Sequence, residues 1–159
     1  MFEVVPAAPF LPDSVAPLAD HAELEGIRIV STVLERWEDG SERFLGRGEA
    51  ILVAVAGDEV VGIGGRSQCP HVPGALRMRR FYVAPGWRRY GVGRSLARQL
   101  IEAGHAHTDL LTCNARASSA ASPFWESLGF VRAEVEGITH VHRTADAPFC
   151  DELGRLRSG

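Results

Sequence analysis

Two hydrophobic rhythms alternate along this chain, one with the period of a helix and one with that of a strand. The proline-rich opening VVPAAPFLPDSVAPL reads as a short strand and an irregular connection, and residues 14–37 then carry the helical rhythm. Ile27, Val30, Val33, Leu34 and Trp37 recur at steps of three and four, with a break near Gly26. The run AILVAVA (50–56) is continuously apolar, with Ile and Val among its members, and predicts a buried strand. GDE (57–59) supplies a turn, and VVGIGG begins the returning arm of a hairpin.

Pro70, Pro73 and Gly74 mark a loop, after which ALRMRRFYV (75–83) alternates. That alternation predicts a strand with Leu76, Met78, Arg80 and Tyr82 on one face. Pro85-Gly86 ends it. A helix is predicted from Gly91 to Ala103, with Val92, Leu96, Ala97, Leu100 and Ile101 as its apolar stripe and Gly104 as its C-cap. DLLTCNA (109–115) reads as a second buried strand and SSAASPFWESLGF as a short helix closing at Gly129. FVRAEVE and ITHVHRT complete the chain as a strand pair. Helices set among mostly hairpin-linked strands predict one α+β domain over residues 1–159, a mixed central sheet with flanking helices.

Composition narrows the class without deciding it. The apolar and charged fractions are those of an ordinary globular protein, long enough for a sizeable core. No apolar run approaches a membrane span, and the opening residues lack the basic flank of a signal peptide. Cys69, Cys113 and Cys150 form no CxxC pair, and their odd number argues against a disulfide framework, so a reducing cytoplasm is expected.

Charge is more informative. Residues 1–59 hold twelve acids against four arginines, residues 60–101 hold eight arginines and no acid, and residues 102–159 hold eight acids against five arginines. The chain has no lysine, which base composition of the source genome explains. It does not explain an acid-free stretch of that length. Such a local positive field suits an anionic partner, a phosphorylated cofactor or a nucleic acid.

The stretch APGWRRYGVGRSL (84–96) lies inside it. A dinucleotide fingerprint fails because Leu96 stands where the third glycine is required, and a P-loop fails for want of lysine. What remains is R-x-x-G-x-G where a strand meets a helix. Unpaired amides at the helix start, with Gly91 and Gly93 lacking Cβ atoms and Arg88, Arg89 and Arg94 close by, would suit a phosphate. The plainer alternative is a glycine-rich turn with incidental arginines.

The wider context resembles one family. RFYVAPGWRRYGVGRSLARQLIEAG resembles the cofactor-binding segment of the GNAT superfamily of N-acetyltransferases. LLTCNARASSAASPFWESLGFVRAE resembles that family's second signature, and EAILVAVAGDEVVGIGG its central hairpin, in the same order over residues 48–135. The resemblance implies acetyl-CoA as cosubstrate and a primary amine of a small molecule or peptide as acceptor, with no nucleic acid or membrane partner and with room for a homodimer. It implies that Arg88, Arg89, Tyr90, Gly91, Val92, Gly93 and Arg94 hold the pyrophosphate. Phe81, Tyr82 and Val83 would pair with the pantetheine arm where two parallel strands splay, Asn114 would contact it from the second strand, and a backbone N–H near Val83 would polarise the thioester oxygen.

The pattern departs from the family at the chemistry. Trp125 stands where many members carry a tyrosine acid, and an indole N–H is too weak an acid to replace it. Ser122, three residues earlier, is the one substitute on that helix, with an N-cap before Pro123 as its plainer role. ALRMRRFYV has no glutamate to act as base, which leaves Glu35, Glu38, Glu42 or His71 to border the acceptor. His105-x-His107 and His140-x-His142 lack companion ligands at metal spacing, so no metal is expected. A non-catalytic acyl-CoA-binding module therefore stands as the alternative function, and a nucleic-acid-binding protein, without a recognisable motif, as the third.

Overall fold

The computed structural model describes residues 1–144, so Cys150 lies outside the described residues. Strands β1 (Glu3–Pro6), β2 (Ala50–Ala56), β3 (Glu59–Gln68), β4 (Leu76–Val83), β5 (Leu110–Cys113), β6 (Val131–Val135) and β7 (Ile138–Arg143) form one sheet. Helices α1 (Val15–Leu24), α2 (Ile29–Asp39), α3 (Val92–Gly104) and α4 (Ala121–Ser127) flank it. The spatial order is β1-β2-β3-β4-β5-β7-β6, antiparallel throughout except for the β4–β5 pair. This is the mixed α+β sheet that the hydrophobic pattern predicts. Among the described residues no helix is long and apolar enough to cross a membrane.

Two apolar layers sandwich the middle of the sheet. On one face Val15 and Leu18 of α1 and Val30 and Val33 of α2 pack on Val53, Ile63 and Tyr82. On the other, Leu100 of α3 and Trp125 of α4 pack on Leu76 and Met78, with Phe81 partly buried beside them. Gly26, at φ +74°, makes the break between α1 and α2, a left-handed conformation that suits a residue without Cβ. The glycines of β3 serve a different end. A Cβ on Gly64 would stand 2.6 Å from the Phe81 ring, and one on Gly62 would stand 2.7 Å from Val92. Bare backbone there lets the ring and the start of α3 lie directly on the strand.

The single face expected for Leu76, Met78, Arg80 and Tyr82 is not what forms. Leu76 and Met78 face α3 and α4, whereas Tyr82 is buried on the α1–α2 side. The pairing register explains the change: Gly65 opposes Arg79 and Ile63 opposes Tyr82, so Gly64 alone faces both Arg80 and Phe81. Arg80, at φ +66°, is the extra residue of a β-bulge, and the alternation shifts by one position beyond it. A bulged strand bends. β4 and β5 are registered only at Leu76–Leu111 and Arg77–Thr112, and beyond Arg77 they part.

Gly104 also differs from expectation. It is the last residue of α3 and is buried, with His105 as the C-cap in right-handed conformation. A Cβ on Gly104 would meet Arg66 Cδ at 2.9 Å and Leu111 Cδ2 at 3.0 Å. Packing, not capping, requires glycine there. Arg66 itself is buried without a carboxylate partner among the described residues, donating from Nε to Gly48 O and from Nη1 to Leu100 O, each at 2.6 Å. It ties the loop before β2 to the last turn of α3. Cys69 and Cys113 are free, buried thiols.

Candidate active site

Where β4 and β5 part, a cleft of about 690 Å³ opens. β4 supplies one wall, Cys113 and Asn114 the other, the turn after β4 and the start of α3 the rim, and Phe124 and Trp125 of α4 an aromatic side. The cleft gathers Phe81, Tyr82, Val83, Arg88, Arg89, Gly91, Val92, Gly93, Arg94 and Asn114 from the residues singled out in the sequence. Tyr90 is exposed and outside the lining, its ring tilted against Trp87 at a centroid distance of 5.7 Å. Ser122 does not join them. It lies in the first turn of α4, where Ala120 is the N-cap, and lines a separate pocket with Arg116, Arg132 and Thr139.

The rim is a loop with two left-handed residues. A single 3-10 turn, Pro85–Trp87, leads to Arg89 at φ +74° and Gly91 at φ +81°. The first intrahelical bond of α3 runs from Ser95 N–H to Gly91 O at 2.9 Å, so the amides of Val92, Gly93 and Arg94 precede the helical ladder. A Cβ on Gly91 would meet open space, which makes backbone conformation the reason for glycine there. A Cβ on Gly93 would touch Val83 and Phe124 at ordinary distances of 3.5 and 3.7 Å. The protein's own packing tolerates it, and what its absence keeps clear is the space between the helix start and the aromatic wall.

Side-chain partners distinguish the arginines of the rim. Arg88 donates through Nη1 and Nη2 to Glu25 at 2.9 and 2.7 Å and through Nε to Val83 O at 3.0 Å. Arg94 donates to Ser127 Oγ at 3.0 Å. Arg89 lines the cleft and makes no ion pair among the described residues. Glu25, at the end of α1, also accepts from the Tyr82 hydroxyl. The Arg88 hydrogen bond, and after it that of Tyr82, holds the Glu25 carboxyl below its ordinary value. Burial and Glu25 push the Tyr82 phenol up to about 12, so it remains protonated at neutral pH.

Backbone direction matters as much. Ala84 N–H donates to Val61 O at 2.9 Å, so the backbone groups of Val83 turn the other way, into the parting of the strands. Arg88 already occupies the carbonyl of Val83. The N–H of Val83 therefore faces the cleft as a fixed donor. Asn114 spans the opposite side, donating to Gly137 O at 3.3 Å and accepting from Arg116 N–H at 3.2 Å.

The groups that transfer protons in many enzymes stand elsewhere. Among the described residues, the cleft lining contains no carboxylate and no imidazole. Glu35 is exposed and paired with Arg28, Glu38 is exposed, and Glu42 is held by Arg80 behind β4. His71 lies against Gly137. His105 and His142 bond each other at 2.8 Å, and His140 bonds Glu126 at 2.8 Å. No group of three possible metal ligands occurs among the described residues. Cys113 lines the cleft, but burial pushes its thiol up to about 12, which keeps it a thiol and not a nucleophile. Trp125 is buried, edge-on to Phe81 at 4.9 Å and to Phe130 at 5.1 Å, and acts as wall and core at once.

The arrangement tests well against an acyl-CoA: parted strands, a donor N–H on one lip, a clear helix start and an arginine-lined, acid-free interior. Glu25 and Ser127, which anchor that interior, were not legible in the sequence, because each meets its arginine through tertiary contact alone.

The family profile of the acetyltransferase (GNAT) domain matches residues 18–144. Among solved structures, a protein assigned as an acetyltransferase from an Exiguobacterium species is 26% identical over 90% of this chain and 93% of its own, with a TM-score of 0.79. An acetyltransferase of the GNAT family from Staphylococcus aureus is 13% identical over 90% of this chain and 99% of its own, with a TM-score of 0.69. A protein assigned as an acyl-CoA N-acyltransferase from Klebsiella pneumoniae is 20% identical over 90% of this chain and 97% of its own, with a TM-score of 0.62. The latter two likenesses speak for the fold alone. No curated protein matches the chain significantly.

Proposed function

The chain belongs to the GNAT acetyltransferase family, and from that premise we propose that it transfers an acetyl group from acetyl-CoA to a primary amine of a small molecule or peptide. The observation that carries this reading is the acid-free cleft between β4 and β5, with the start of α3 on its rim. The amides of Val92 to Arg94 and the guanidinium of Arg89 would hold the pyrophosphate, and Arg88, fixed by Glu25, would keep the loop in shape. Val83 and Asn114 would line the pantetheine arm. Bound there, acetyl-CoA supplies an acyl group activated as a thioester.

The chain's own part is positioning and electrostatics. The N–H of Val83 would donate to oxygen at the reacting carbon, an oxyanion-type role in a site walled by Phe81, Phe124 and Trp125. Proton removal is the harder step. An alkylamine of pKa near 10.4 is neutral to only a few parts in ten thousand at pH 7. With no carboxylate or imidazole in the lining, water is the acceptor of that proton. The leaving thiolate, of pKa near ~8.5, departs without a side-chain acid. The two free cysteines support a reducing compartment such as the cytoplasm.

A second reading, a non-catalytic acyl-CoA-binding module, draws on that same lack of a base. One experiment separates the two: calorimetry with acetyl-CoA alongside thiol release over a panel of amines. Binding with amine-dependent release supports the transferase, binding without release supports the module, and no binding removes both.

A further inference from the structure

The end of the cleft away from the helix start holds a second group of arginines. Arg77, Arg79 and Arg80 line it, and Glu42 is the carboxylate that faces them from behind β4. Glu42 is already engaged: it accepts from Arg80 Nε and Nη2 at 2.8 and 3.2 Å, and Arg36 stands at 3.6 Å. Arg79 Nη1 is 3.7 Å from it, beyond hydrogen-bond reach. Arg77 makes no ion pair among the described residues. Among the described residues, Arg80 alone of the three is hydrogen-bonded to a carboxylate.

Two polar atoms on the same face of the sheet are buried without a hydrogen-bond partner among the described residues: Arg79 Nε and Ser67 Oγ. Ser67 is 6% exposed and opposes Arg77 across the β3–β4 pair, while Arg79 lies two residues further along β4. Arg79 lines both the cleft and the smaller pocket that contains Ser67, Gln68 and the carboxylates Glu42 and Glu49. Burial, and after it the neighbouring Arg80, lowers the pKa of Arg79, with Glu42 opposing the shift in part. A buried donor without an acceptor is costly, and a guanidinium fork matches the oxygens of a carboxylate or phosphate.

We infer that the acceptor amine carries an oxyanion, received by Arg79 with Arg77 beside it and the Ser67 hydroxyl donating from the next strand. This rests on the acetyltransferase reading above and narrows it. The cleft lining itself contains no acid among the described residues, and in the smaller pocket Glu42 is taken up by Arg80 and Glu49 by the N–H groups of Gly46 and Gln68, so a polyamine acceptor finds no unengaged counter-charge.

The test measures thiol release from acetyl-CoA with matched amines: phenylalanine, phenylalanine amide, phenethylamine, phosphoethanolamine and putrescine. Phenylalanine or phosphoethanolamine should exceed the best uncharged-tail or diamine acceptor by about tenfold or more in kcat/KM, chiefly through KM, the worth of a charge-assisted hydrogen bond. Which of the two leads tells a carboxylate from a phosphate. Arg79→Gln should bring that preference close to unity while the KM for acetyl-CoA changes less than about twofold, and Arg77→Gln should reduce the preference by a smaller factor. If Arg79→Gln does not fold, Arg77→Gln carries the comparison. Better turnover of phenethylamine or putrescine, or an unchanged preference in the folded variants, overturns the inference and leaves the transferase standing. No release from any amine, with acetyl-CoA bound, removes both.

Discussion

Arg88 and Glu25, sixty-three residues apart, meet through two nitrogens and two oxygens at 2.9 and 2.7 Å. That contact fastens the rim of the cleft to the end of α1, and it leaves Arg88 unavailable as a free anion ligand. Glu25→Gln should weaken acetyl-CoA binding about three- to tenfold by calorimetry through loss of loop order, with little change in melting temperature. Unaltered affinity would show that the loop keeps its shape unaided. The carboxyl of Glu25 is held below its ordinary value, so its contribution is full above about pH 4.3 and is lost as pH falls through the lower folded value. Emission from Trp87, in the same loop, should then be steady above about pH 5 and shift only below it.

The two rim glycines should respond differently to alanine. Gly91 sits at φ +81°, so Gly91→Ala should cost about 1–2 kcal/mol in denaturant unfolding. Gly93 lies in the first turn of α3 with only ordinary contacts awaiting a Cβ, so Gly93→Ala should leave stability within about 1 kcal/mol of the parent. Its acetyl-CoA affinity should nevertheless fall. A Gly93→Ala protein that binds normally would take that position out of the cleft.

Rate should follow the acceptor's own protonation. With no base in the lining, kcat/KM should rise about tenfold per pH unit between pH 7 and 9 for an alkylamine. A plateau beginning near pH 7 would reveal a protein group doing the work assigned to water.

Trp125→Phe should retain turnover within about tenfold, roughly 1.4 kcal/mol in barrier, because the indole packs and does not donate a proton. Cys113→Ala should likewise remain active. With the thiol pushed up to about 12, only about one molecule in ten thousand carries a thiolate at pH 8. A loss of several orders of magnitude in either folded variant would contradict direct attack by the amine.

Much of this molecule is legible in its sequence. The order of strands and helices followed from local rhythm, because each element buries one stripe against the sheet and its sequence must show that stripe. The glycine loop was legible for a related reason: the absence of side chains and the excess of arginine are written in sequence. What escaped was contingent on tertiary approach. Gly104 looked like a cap because it follows a helical run, whereas the side chain pressing on it, Arg66, lies far away in sequence. Ser122 sits one helical face away from the cleft, which a boundary error of one or two residues at Ala120 is enough to conceal. The bulge at Arg80 was invisible for a simpler reason, since a pattern of alternation assumes that no residue is extra.

Arg80 is, in effect, supernumerary. Remove it from the written strand and Leu76, Met78, Phe81 and Val83 alternate without fault against Arg77, Arg79 and Tyr82, which are the faces the folded strand presents. A chain one codon shorter keeps the alternating side chains on their present faces, at the loss of the Arg80–Glu42 ion pair, yet its fourth strand has no reason to bend. The two central strands would close along their length, and the protein would keep its architecture while losing the cleft between them.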